Sequence, residues 1–177
     1  MRWFSLFVLL LPLSLGCKEQ VQTVFIKRID FKVKATEKEK KIFEGDYIYW
    51  ASLHEPEKDL GRLVEADTVL LSEKKVRVRI DYPLGKPVVI ELQSDDGFSR
   101  RVLLEQISAE YKKIYAEEAA ASKVKVVPRE KRKGLVNRNE TKGKYNICCH
   151  DLSDLDLSSI AVYETTDGVL LQLQIES

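Results

Sequence analysis

Residues 148–151 read Cys-Cys-His-Asp. Thiolate and imidazole are soft to borderline metal ligands, and a carboxylate can complete such a set. Successive residues on a strand point to opposite faces, so Cys148 and His150 would converge while Cys149 and Asp151 turn away. Two ligands do not close a site. The sequence holds no Cys-x-x-Cys and no His-x-x-x-His, and nothing in it places the other histidine, His54, nearby. Cys148 and His150 therefore stand as the metal candidates, and no cofactor is assigned. The plain alternative is one buried thiol, one half-buried thiol and a polar His-Asp pair. Adjacent cysteines close only a strained ring, so no disulfide framework is expected.

Hydrolytic chemistry finds little more. His54 and His150 are the available imidazole bases, with Glu55 and Asp151 as their neighbours in sequence. Sequence neighbours seldom orient each other as a catalytic triad requires. There is no G-x-S-x-G elbow, no P-loop and no G-x-G-x-x-G. Asp95 and Asp96 precede a helix, where turn formation and the helix N-terminus explain them. No catalytic residue is assigned, and an enzyme or metal-binding accessory protein built on Cys148, His150 and Asp151 is the alternative to a binding function.

The third chemical feature is charge. Residues 123–144 hold nine basic side chains against two acidic ones, a net +7. Lys123, Lys125, Arg129, Lys131, Arg132 and Lys133 are its candidates for contact with an anionic surface. No aromatic residue occurs within 123–144, so base stacking is unsupported and nucleic acid is not expected as a partner. Residues 145–177 are the mirror image, with six acidic side chains and no Lys or Arg. The basic segment thus reads as a solvated loop, or as one that folds back on the acidic segment.

The elements that must carry these residues follow from periodicity. Ile29, Phe31 and Val33 alternate with charged neighbours, as do Val76, Val78 and Ile80, which is the period of a half-buried strand. Pro83-Leu84-Gly85-Lys86-Pro87 then turns the chain toward a strand at 88–93, giving a hairpin. Tyr47 to Ala51 is aromatic and reads as one strand. His54 to Arg62 reads as a loop, Glu37 to Lys41 as a charged link, and Thr68 to Leu71 as a short strand. Leu103, Ile107, Tyr111 and Ile114 fall on one helical face. Ser99 can cap that helix, which runs to about residue 122. A closing hairpin turns at 164–168 and alternates to residue 175. The expected fold is α+β, an antiparallel sheet with one long helix (about 99–122) packed on one face.

The start of the chain gives an address. Met1-Arg2 is positive, and Trp3 to Leu15 is an uncharged run of 13 residues broken near its end by Pro12. A bilayer core needs about 20 residues to span, so this run reads as a secretory signal peptide over 1–16. Ser14-Leu15-Gly16-Cys17 resembles the lipobox of bacterial lipoproteins. Gly16 and Cys17 fit that pattern, while Ser14 and Leu15 depart from its usual Leu and small residue. The resemblance covers the first 17 residues and implies a diacylglycerol on the Cys17 thiol. Lys18 is not the aspartate of inner-membrane retention, which points to the outer membrane. The chain is thereby divided into a signal peptide (1–16), an anchored N-terminus with the first strand (17–35), and an α+β domain (36–177) with a basic loop at 123–144. The expected function is a membrane-anchored binding or scaffolding domain of the cell envelope, with an envelope protein or anionic lipid as partner.

Overall fold

The computed structural model describes residues 23–133 and 138–177. The expected signal peptide and the lipid-attachment residue Cys17 lie outside the described residues. In chain order the elements are β1 (Val24–Asp30), β2 (Val33–Lys34), α1 (Glu37–Phe43), β3 (Tyr47–Ile48), β4 (Ala51–Ser52), α2 (Glu57–Leu60), β5 (Val69–Leu71), β6 (Lys75–Ile80), β7 (Val88–Gln93), β8 (Phe98–Ser99), α3 (Arg100–Ala121), β9 (Asp156–Thr165) and β10 (Gly168–Glu176). The class is α+β, as the period-two and amphipathic segments require.

The main sheet runs β1-β9-β10-β6-β7, with β4 also paired to β9. Its pairs are antiparallel except one: β10 lies parallel to β6, with Leu171 opposite Val78. The hairpins β6–β7 and β9–β10 therefore meet through a parallel junction. One face carries the alternating apolar set, with Ile29, Val76, Val78, Ile80, Leu157, Ile160, Val162 and Leu171 all buried. These side chains share one hydrophobic core with Leu103, Leu104, Ile107, Tyr111 and Ile114 of α3. Each of the larger residues contributes roughly 1.5–3 kcal/mol on burial. Helix α3 begins where Ser99 Oγ accepts the Val102 N–H (3.3 Å), the cap expected from sequence. The two buried hydroxyls of α3 donate to backbone oxygens, Ser108 to Leu53 (2.6 Å) and Tyr111 to Tyr82 (2.8 Å).

Two segments read as irregular are short helices. Glu37–Phe43 is α1, started by a capping box in which Thr36 and Glu39 satisfy each other's backbone N–H groups. The Thr36 backbone N–H, then its hydroxyl, and then Arg62 hold the Glu39 carboxyl down at about 2. Glu57–Leu60 is α2. The expected strand at 47–51 is two, since β3 pairs with β2 whereas β4 pairs with β9. Tyr49 and Trp50 sit in the break.

The C-terminal half of α3 holds the loop that leads to β9. Glu118 is fully buried, although its type suggests a wet face. Its carboxylate accepts the Gly143 N–H (2.9 Å) and the Tyr145 N–H (2.7 Å). Burial works against the charge, but the Tyr145 N–H, the Thr141 hydroxyl and the Gly143 N–H outweigh it and hold the carboxyl below its ordinary range. A Cβ on Gly143 would stand 2.7–2.9 Å from that carboxylate group, so a side chain there would displace the carboxylate. Replacing Glu118 by Ala strands two buried N–H groups and is expected to cost about 2–4 kcal/mol. Urea unfolding of Glu118→Ala beside wild type checks this, and an unchanged midpoint refutes it.

Candidate functional site

Three short elements converge at the open end of the sheet. β4 places Ser52 opposite Asp156 at the start of β9. β10 places Glu176 opposite the same Asp156 from the other side, after a bulge between Gln174 and Ile175. The break between β3 and β4 stands Tyr49 and Trp50 beside them. The result is a cleft of about 540 Å³ lined by Arg28, Tyr49, Trp50, Asp156, Ser158 and Glu176 among others.

Its floor is acidic. Asp156 and Glu176 are register partners on neighbouring strands. The Ser158 hydroxyl donates to Glu176 Oε1 (3.0 Å) or to the Gln174 carbonyl (3.2 Å). No donor among the described residues reaches the half-buried Asp156 carboxylate. Burial, then the charge of nearby Asp59, pushes its pKa up to about 6. Asp59 is held in place by the Ser52 N–H (2.9 Å) and by Arg62 (2.8 Å). The one cation of the lining, Arg28, is already paired with Asp30 at 2.7 Å.

Its wall is aromatic. Tyr49 is 57% exposed. Trp50 meets Phe43 edge to face, with ring centroids 5.4 Å apart. Lys32 Nζ lies 5.4 Å from the centre of the Tyr49 ring. An aromatic wall beside a carboxylate without a donor can hold a ligand and orient its polar groups. No histidine is among the residues that line it.

The Cys-His-Asp run lies elsewhere and is built differently from its sequence expectation. Cys148 and Cys149 are joined to each other in a disulfide, so neither offers a thiolate and Cys148 is not a metal ligand in this state. His150 N–H donates to the Cys148 carbonyl (2.9 Å) across Cys149, whose φ is +74°. That is a tight three-residue turn, rare for a side chain with a Cβ. The strand geometry that would converge Cys148 and His150 is absent, because the run is a turn. The His150 ring packs 5.5 Å from Tyr82, and its backbone carbonyl accepts the Tyr115 hydroxyl (2.9 Å). Asp151 pairs with Arg132, and Arg138 lies 3.9 Å from it. No group of three potential metal ligands occurs among the described residues.

The basic segment is docked at both ends. Arg132 joins Asp151, Arg138 is buried with its guanidinium 5.0 Å from the centre of the Tyr115 ring, and Lys144 pairs with Glu117 at 2.6 Å. Of the six candidates for anionic contact, Arg132 is thus committed inside the protein. Lys123, Lys125, Arg129, Lys131 and Lys133 are exposed, and Lys125 Nζ also donates to the Ala119 carbonyl (3.0 Å).

No protein-family model matches the chain, and no curated protein or solved structure matches it.

The acidic floor has a measurable consequence. The folded protein binds a proton at Asp156 more readily than the unfolded chain does, so this residue destabilises the fold as pH rises from about 4 through about 6. Asp156→Asn removes a half-buried charge and is expected to stabilise by about 1–2 kcal/mol at pH 7.5 after discounting for solvent. The gain should vanish near pH 4. Thermal unfolding at both pH values checks it, and a lower melting temperature at pH 7.5 counts against it.

Proposed function

We propose that this protein is a lipoprotein of the cell envelope, anchored through Cys17, whose folded domain binds a partner in the Tyr49–Trp50 cleft. The observation that carries the binding role is the cleft itself: the exposed Tyr49 and the half-buried Trp50 stand beside an Asp156 carboxylate that has no donor among the described residues. Ser158 and two carboxylates line the cleft, and among the described residues no imidazole or metal cluster joins them; the aromatic wall beside them favours contact as the reading.

Other features support the address. The lipobox resemblance at Gly16-Cys17 supplies the attachment point, and two or three acyl chains bind a membrane stably where one does not. Val24 begins β1 only seven residues after Cys17, a tether of at most roughly 25 Å. The Cys148–Cys149 bond suits an oxidising compartment such as the periplasm or cell surface. Lys18 favours the outer membrane. The exposed Lys123, Lys125, Arg129, Lys131 and Lys133 would add attraction to anionic headgroups.

Detergent phase partition with intact mass tests the anchor. Wild type is expected in the detergent phase with added acyl mass, and Cys17→Ala in the aqueous phase without it. Wild type that stays aqueous at its unmodified mass refutes the anchor.

A further inference from the structure

We propose that the cleft receives a lysine or arginine side chain from a basic segment of a partner polypeptide, a reading that rests on the binding role proposed above and names its ligand. Two requirements meet in that side chain. The floor lacks a donor at the half-buried Asp156 carboxylate, which has Asp59 nearby and Glu176 as its register partner on β10, and the cation of the lining, Arg28, pairs with Asp30. The wall needs an apolar stem, which an alkyl chain laid along Tyr49 and Trp50 provides. The Tyr49 ring already holds the Lys32 ammonium at 5.4 Å, so an ammonium over this ring is a geometry the site tolerates.

A bare metal ion or a small free amine uses less of what is there. The aromatic wall continues from Trp50 to Phe43, and Ile42, Phe43 and Tyr47 beside it are exposed. That is more apolar surface than one amine covers. Arg28 belongs to β1, the outermost strand of the sheet. An extended polypeptide therefore has a strand edge to lie along while one of its basic side chains enters the cleft.

The chain has two tryptophans, and processing in front of Cys17 removes Trp3, so Trp50 is the reporter in the lipidated protein. That protein in detergent micelles is titrated with Ac-Gly-Leu-Lys-Leu-Gly-NH2, with the same peptide carrying norleucine for lysine, and with N-acetylglucosamine. The expected result is a saturable Trp50 response to the lysine peptide and one at least tenfold weaker to the norleucine peptide. Asp156→Asn should weaken the lysine peptide about tenfold, and this variant is expected to be the more stable protein at that pH. Lowering the pH from 7.5 to 5 should weaken it similarly, since Asp156 then takes up a proton while Glu176, Asp59 and Arg28 surround it. Equal binding of the norleucine peptide, or a response to the sugar alone, overturns the cation and leaves the binding role standing. Lysine-peptide affinity unchanged in Asp156→Asn also overturns it. Silence to every probe overturns both the cation and the cleft as the binding site, while the detergent partition decides the anchor separately.

Discussion

The structure hangs on β9. This ten-residue strand is hydrogen-bonded on one side to β10 along nearly its whole length, and on the other to β1 and then β4. A strand paired on both edges must bury one face, and the alternation of Leu157, Ile160 and Val162 provides that face. Among the described residues, α3 offers the apolar stripe that covers it. Helix, sheet and core are thus consequences of one satisfied strand, since every backbone group left unpaired beneath the helix would cost about as much as a lost hydrogen bond.

The same strand explains why the loop before it is ordered rather than free. Residues 141–147 must deliver the chain from the end of α3 to the start of β9, and the Glu118 carboxylate holds them by two backbone N–H groups. Arg132 and Arg138 turn inward onto Asp151. Part of the excess positive charge of 123–144 is cancelled by the excess negative charge that follows. Opposite charges separated in sequence are brought together as the connection closes.

At the start of β9 the sheet carries a local cost. A fold optimised for stability alone would not set Asp156 against Glu176, keep it without a donor, and put Asp59 behind it. The aromatic wall beside it is only partly covered. Tyr49 and Trp50 occupy a break between two strands that pair with different neighbours, and neither turns fully into the core.

Sequence alone determined the α+β class, the helix from Ser99 to about residue 122, the β6–β7 hairpin and the closing hairpin. Those depend on periodicities of two and 3.6, which are local and repeat often enough to be read. It marked Cys148 and His150 as candidate ligands, but not that the two cysteines join each other in a turn, where Cys149 takes a backbone conformation that residue type does not announce. Glu118 looked like a solvent residue because its partners are backbone N–H groups 25 and 27 positions away. The cleft was invisible for the same reason. Tyr47 to Ala51 reads as one strand until tertiary pairing splits it. Counting back from the hairpin turn sets Glu176 opposite Leu157, and only the one-residue bulge sets it opposite Asp156. Register, bulges and charge neighbours belong to the folded chain, because they are settled by which distant strands have to meet.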